Sequence, residues 1–305
     1  MNLSLRMPVV VQQVSLRAII YMTISAFCFS TVELLGAYFV RGITLYQVVW
    51  GRYAVHLLFM LVVLGPRYKG TLVRSSRLPL QIIRSLTMVA MPVAFILATT
   101  QMPSHNVWAI YWLSPFMMLA LSTWVLREPA GRVRWIAALV GFVGMMLVLR
   151  PDAGVFSPAA ILPLIVGAAI SLHLMFSRIL RDDHPLTSLF HTALWVFIVM
   201  SFVMPFVWQR PALTDLIGVV IVGLVGCLAR LVLARSGELV PLPVVASFSY
   251  TEAIWTMLLS ALLFGQMPGK IEMLGAVIIA GVTLYLFFYE AGTPYTEPEP
   301  VIEQA

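Results

Sequence analysis

Five charged side chains stand well inside long apolar runs of the sequence: Glu33, Arg52, Arg84, Arg230 and Glu252. A charge at membrane depth is costly, so each is a candidate for function by default. Glu33 lies about two-thirds through the first run, where its carboxylate either binds a cation or a proton, or pairs with Arg52. Glu252 lies near the middle of the ninth run, and Phe248, Glu252 and Trp255 fall on one helical face. A carboxylate flanked by aromatic rings suits an organic cation, although such stripes also serve packing. Arg52, with His56 one turn later, offers a planar fork to a carboxylate. Arg84 and Arg230 lie about five residues from helix ends, within reach of the interface by snorkelling; Arg230 also has the option of facing a cavity. His173 either exchanges protons or makes a structural hydrogen bond. Trp108, Tyr111, Trp112 and Pro115 share a face of the fourth run, and Pro115 frees a carbonyl one turn back, which bends a helix and offers an acceptor. The expected binding set is Glu33, Arg52, Arg84, Trp108, Tyr111, Trp112, Phe248, Glu252 and Trp255. Glu33, Glu252 and His173 are the candidates for proton coupling.

The elements that must hold these groups follow from composition. The chain has 305 residues, 61% hydrophobic and 10% charged, with a mean hydropathy of +0.95. Soluble domains run at roughly 45–50% apolar and about 25% charged, so lipid must be the solvent for much of this surface. Ten segments are long enough to span a bilayer: 18–40, 44–64, 79–101, 105–126, 133–150, 158–180, 186–208, 214–235, 241–264 and 270–289. Helix breakers fill the gaps, among them Gly65-Pro66, Met102-Pro103, Arg150-Pro151 and Pro241-Leu242-Pro243. Backbone polar groups in hydrocarbon must pair within their own segment, which requires helices. The ten-residue alternation of a barrel strand is absent.

The Lys and Arg bias sets the orientation. With the N-terminus inside, cytoplasmic segments carry Arg6, Arg17, Arg67, Lys69, Arg74, Arg77, Arg127, Arg132, Arg134, Arg178, Arg181 and Arg235. Outer segments carry only Arg41, Arg150, Arg210 and Lys270. Both termini are therefore expected in the cytoplasm, in a multi-pass protein of the inner (plasma) membrane. The net charge of +6 is scattered through short gaps, which argues against a nucleic-acid partner. The N-terminal segment 1–17 has no cleavable signal pattern. Cys28 and Cys227 lie in apolar runs and read as packing residues, and the acidic, Pro-rich stretch 290–305 reads as a disordered cytoplasmic tail. No metal-ligand spacing, nucleotide loop or hydrolase motif is present. No cofactor is therefore expected, nor is intrinsic ATP hydrolysis, and an intramembrane enzyme is the weakest reading.

The two halves of the chain resemble one another. A constant shift of 138 aligns Val107 with Val245, Glu128 with Gln266, Gly131 with Gly269, Arg132 with Lys270 and Ala138 with Ala276. Five helices per half is an odd number, so the halves, 1–150 and 151–289, must be oppositely oriented. A site at mid-membrane between them follows. Gly141, Gly144, Gly275 and Gly281 suit close helix packing.

The stretch Leu126-Arg127-Glu128-Pro129, followed by Trp135-Ile136-Ala137-Ala138-Leu139-Val140-Gly141-Phe142-Val143-Gly144, resembles the signature of EamA-type members of the drug/metabolite transporter superfamily. Arg52, Arg84 and Ser114-Pro115 add to the likeness, which covers residues 18–289. It implies an all-α membrane fold of ten helices in two inverted five-helix repeats. It also implies secondary transport of a small molecule by alternating access. Two positions depart from the pattern: Arg127 stands where Gly is usual, and Gln266 replaces the second-half Glu. Deep Arg and Glu beside aromatics point to a zwitterionic or cationic metabolite, an amino acid or derivative. A lipid-linked flippase of similar fold is the alternative.

Overall fold

The computed structural model describes residues 11–13, 16–128, 130–292 and 294–296. Ten helices are long and apolar enough to span a bilayer: α1 (Arg17–Phe39), α2 (Leu45–Tyr68), α3 (Leu78–Thr99), α4 (Ser104–Trp124), α5 (Gly131–Leu149), α6 (Pro158–Ile179), α7 (Pro185–Val207), α8 (Leu213–Ser236), α9 (Leu242–Phe264) and α10 (Lys270–Glu290). Local chemistry sets their ends. Thr44 and Gln47 form a capping box at the start of α2, and proline stands in the first turn of α3, α7 and α9, where a missing N–H costs nothing. The end of α2 runs past the expected boundary. A π-helical turn at Met60–Leu64 carries it across Gly65-Pro66 to Tyr68, with Pro66 in the first turn of the new segment. Outward-facing residues such as Leu58, Phe206, Leu262 and Phe288 are exposed, as lipid contact requires.

The helices form two inverted five-helix repeats. Contacts between them are reciprocal: α1 packs on α8 and α9, while α6, its counterpart, packs on α3 and α4. Likewise α2 packs on α7 and α8, and α7 on α2 and α3. The α5–α10 pair crosses closely. A Cβ on Gly275 would stand 2.5 Å from the Gly144 carbonyl oxygen, so glycine sets that approach. Gly281 takes no part in it, since nothing lies within 4 Å of a Cβ there.

The 138-residue shift is visible in backbone detail. Both α4 and α9 are broken at mid-membrane, into Ser104–Tyr111 and Ser114–Trp124, and into Leu242–Phe248 and Thr251–Phe264. In α4 Pro115 cannot donate to the Tyr111 carbonyl. At the breaks the shift pairs Trp112 with Tyr250. These two rings face each other with centroids 5.5 Å apart, and the Tyr250 hydroxyl donates to the Trp112 carbonyl at 3.2 Å. At the helix ends Arg127 and Gly265 correspond, with φ of 57° and 66°. Each is followed by a bond that closes the last turn, Glu128 N to Ser122 O at 3.0 Å and Gln266 N to Ser260 O at 3.4 Å. Arg127 thus takes a left-handed conformation that glycine adopts without steric cost.

One expectation needs correction. The segment 290–305 is not disordered from its start. Helix runs on to Gly292, and β2 (Pro294–Thr296) pairs antiparallel with β1 (Val11–Gln13), because both chain ends leave the bundle on the same side and their unpaired backbone groups meet. The rest of the tail, residues 1–10, Val14, Ser15 and Pro129 lie outside the described residues.

Candidate functional site

A cavity of about 270 Å³ runs from the side where α1 begins, the near side, to just past mid-membrane. Its mouth is lined by Arg181 and Asp183 of the α6–α7 connection, by Pro185 at the start of α7 and by Leu242 at the start of α9. Its inner end is lined by Glu33, Arg52, Met91, Tyr111 and Glu252. Eight helices contribute to the walls, four from each half.

At the inner end two carboxylates converge from α1 and α9. Ser30 fixes their levels: its hydroxyl donates to the Glu252 carbonyl at 2.9 Å and accepts from Thr256 Oγ1 at 3.0 Å. Glu33 follows Ser30 by three residues, almost one turn. Glu252 lies in the first turn of the second segment of α9, where the helix dipole favours negative charge. Glu33 is exposed in the cavity and Glu252 half-buried. Neither side chain has a hydrogen bond or ion pair with a described residue, and no ion pair joins Glu33 to Arg52. Two carboxylates without a hydrogen bond or ion pair among the described residues are costly at membrane depth.

Arginines line the wall beside them. Arg84 is 4% exposed and does not snorkel. It is enclosed between α3, α6 and α7, donating to Ser177 Oγ at 2.7 Å, Ser188 O at 2.8 Å and Thr192 Oγ1 at 3.0 Å. Its Nη2 lies 3.3 Å from His173 Nε2, and His173 Nδ1 lies 3.1 Å from the Arg84 carbonyl. A carbonyl only accepts, so the network assigns the proton to Nδ1 and the guanidinium donates to Nε2. That arrangement leaves His173 no free nitrogen toward the cavity. Arg230 does not snorkel either: it lines the cavity and donates to the Tyr53 hydroxyl at 2.8 Å. Arg52 lines the cavity over the same Tyr53 ring.

Of the residues singled out from sequence, Glu33, Arg52, Arg84, Tyr111, Trp112, His173, Phe248 and Glu252 line this cavity. Trp108 and Trp255 do not. Trp108 packs on Phe95 and Tyr111 at 5.0 and 5.3 Å, beyond the cavity's inner end. Trp255 turns to Phe27 on the outer side of α1, at 5.3 Å. The physical reason is the break in α9 at Ser249-Tyr250, which interrupts the single face drawn through Phe248, Glu252 and Trp255. Sequence reasoning missed Tyr53, a plain tyrosine in an apolar run whose role depends on a partner 177 residues away.

Polar latches frame the cavity at both ends. On the far side Asp215 accepts from the backbone N–H of Arg41 and Gly42, both at 3.1 Å. Gln47 and Gln209 exchange two hydrogen bonds of 2.8 and 3.0 Å, and Asn106 donates to Asp152 at 2.7 Å. On the near side Glu128 accepts from Arg178 Nε at 2.7 Å and from the Leu242 N–H at 3.1 Å. It thereby ties the α4–α5 turn to α6 and α9. Gln266, its counterpart, only accepts from Ser260, at 2.9 Å. Asp183 accepts from Ser75, Ser76 and Gln81. Burial alone would raise its carboxyl, but these hydrogen bonds outweigh burial and hold it down at about 2.

A family model described as the EamA-like transporter family matches residues 16–150 and again 157–288. The chain is 27% identical over 225 residues to a protein of Rickettsia bellii named S-adenosylmethionine uptake transporter, covering 73% of this chain and 76% of that one. The protein of the same name in Rickettsia prowazekii is 26% identical over 226 residues, with the same coverage. A riboflavin transporter of Vibrio cholerae is 31% identical over 176 residues, 56% of this chain and 58% of its own length. A solved crystal structure superimposes with a TM-score of 0.78 at 14% identity, over 90% of this chain and 97% of that one, which speaks for the fold alone.

Proposed function

Because this chain belongs to the EamA-like transporter family, we propose that it is a secondary transporter whose cargo is a small amino-acid derivative carrying a cationic centre, with S-adenosylmethionine as the leading candidate. The observation that carries this reading is the pair of unpartnered carboxylates, Glu33 and Glu252, at the inner end of a cavity shared by both repeats. A sulfonium or ammonium group supplies the charge they lack. Tyr111, Trp112 and Phe248 offer faces for a planar base and cation–π attraction for the onium centre. The relatives named for S-adenosylmethionine uptake support the same class of cargo. Riboflavin, suggested by the shorter match, brings aromatic surface but no cation for the two acids.

Eleven of the described Lys and Arg residues stand on the near side and four on the far side, so we assign the near side, with both termini, to the cytoplasm of the plasma membrane. The cavity then opens inward. Rocking of the repeats would close the mouth and release the far-side latches at Asp215 and Gln47. Glu33 and Glu252 would hold protons when the cation is absent, which couples transport to the proton gradient.

Purified protein in sealed vesicles tests this reading. Radiolabelled S-adenosylmethionine should accumulate saturably, and an imposed pH gradient should change the rate. Riboflavin transport in its place, or scrambling of labelled lipid with no solute uptake, would overturn it.

A further inference from the structure

Five arginines line the cavity: Arg181 at its mouth, Arg178, which is paired with Glu128, and Arg52, Arg84 and Arg230 deeper in. Among the described residues no carboxylate oxygen lies within 4.0 Å of the last three. Arg84 spends its donors on Ser177, Ser188, Thr192 and His173. Arg52 and Arg230 do not. They approach from facing helices, α2 and α8, and their guanidinium carbons lie 5.2 and 5.4 Å from the centroid of one ring, that of Tyr53. Tyr53 is 2% exposed, stacked on His56 at 6.3 Å with 17° between planes, and its hydroxyl accepts from Arg230. It therefore holds one cation rigidly and carries the second above its face. Gly226, one turn before Arg230, leaves room for the stem of Arg52: a Cβ there would stand 3.6 Å from Arg52 Cδ.

Two like charges on one ring repel one another in a medium of low dielectric. An anion between them reverses the sign of that interaction, and a carboxylate fits guanidinium donors bidentately. We propose that Arg52 and Arg230, held by Tyr53, form a carboxylate subsite that selects cargo with a free α-carboxylate. This rests on the amino-acid-derivative reading above and adds an orientation to it. The carboxylate points to α2 and α8, and the cationic centre points to Glu33 and Glu252 on α1 and α9. Tyr53 acts as a positioning residue. It would touch Arg230 and not the cargo.

The test uses two probes that differ in one group: S-adenosylmethionine and its decarboxylated analogue, which keeps the sulfonium, the amine and the adenosine. Equilibrium binding to the full chain should be at least about 30-fold weaker for the analogue, as loss of one partner of a buried charge pair implies. In Arg230→Ala the difference should shrink to roughly threefold or less, through weaker binding of S-adenosylmethionine with the analogue unchanged. Tyr53→Phe should give a smaller change of the same kind. Equal affinities in the unaltered protein overturn the subsite whatever the variants do, so the test stands even if a variant fails to fold. Arg230→Ala weakening both probes alike also overturns it, by making Arg230 a general structural element. No saturable binding of either probe overturns the cargo assignment, and the subsite with it.

Discussion

Replacing Glu252 with glutamine is expected to cut transport about a hundredfold while the protein still folds. Gln keeps the size and hydrogen-bonding shape of the side chain and removes only its charge. In the cavity that charge has no ion pair with a described residue, so the cargo cation is what it would lose. Removing one member of a desolvated charge pair costs about 2–5 kcal/mol, and a hundredfold, about 2.8 kcal/mol, lies within that range. Stability should move little, because the Glu252 side chain has no hydrogen bond or ion pair with a described residue to lose. Uptake into vesicles and thermal unfolding of the same preparation measure the two effects together. Full transport by Glu252→Gln would remove this residue from the mechanism, and loss of folded protein would recast it as structural.

The second large effect is on stability. Arg134 and Glu290 form a buried bidentate pair at the near ends of α5 and α10, with Nε–Oε1 at 2.7 Å and Nη2–Oε2 at 2.9 Å. The side chains are 10% and 1% exposed. The same two helices cross through Gly144 and Gly275 nearer their other ends, so the pair belongs to the scaffold that holds the repeats together. Arg134→Ala leaves Glu290 buried without its counter-ion, at a cost of about 3–5 kcal/mol. The apparent Tm in detergent should fall on the order of 10 °C. The double variant Arg134→Leu with Glu290→Leu should recover most of that loss, since a buried ion pair and a well-packed apolar pair are of similar stability. A single variant that unfolds like the parent would show that the pair is solvated and of little weight.

Much of the scaffold could be read from hydropathy, because the bilayer imposes length and apolarity on every span. The repeat showed itself through polar punctuation, where Glu128 and Gln266 follow the two helix ends at a shift of 138. That correspondence reaches down to the left-handed residues Arg127 and Gly265. The breaks at mid-membrane were half legible. Pro115 announces the one in α4, whereas Ser249-Tyr250 in α9 carries no breaker, and there the symmetry with Trp112 is the only signal. Missing that break carried Trp255 onto the wrong face.

Depth in the membrane singled out Glu33, Arg52 and Glu252, since charge in an apolar run is conspicuous. It left Arg84 and Arg230 between snorkelling and the cavity, because the two look alike in sequence. What separates them is the polar company on other helices, Ser177 and Thr192 for one and Tyr53 for the other. Those partners lie far along the chain and are chosen by how helices pack, which no local pattern encodes. Glu128 shows the same limit. Its place in a motif was plain, but its grip on Arg178 and on the start of α9 appears only once α4, α6 and α9 are assembled.

Ser249 lines the cavity three residues before Glu252, and the native thiols, Cys28 and Cys227, are buried. With both native cysteines replaced by alanine, Ser249→Cys can be labelled with a membrane-impermeant thiol reagent in vesicles of defined orientation. Labelling should proceed from the side bearing the chain termini and slow at least about tenfold when saturating S-adenosylmethionine occupies the site. A cysteine at 249 that stays unreactive from both sides, or reacts at the same rate with and without that compound, would contradict a water-filled cargo site between the inverted repeats.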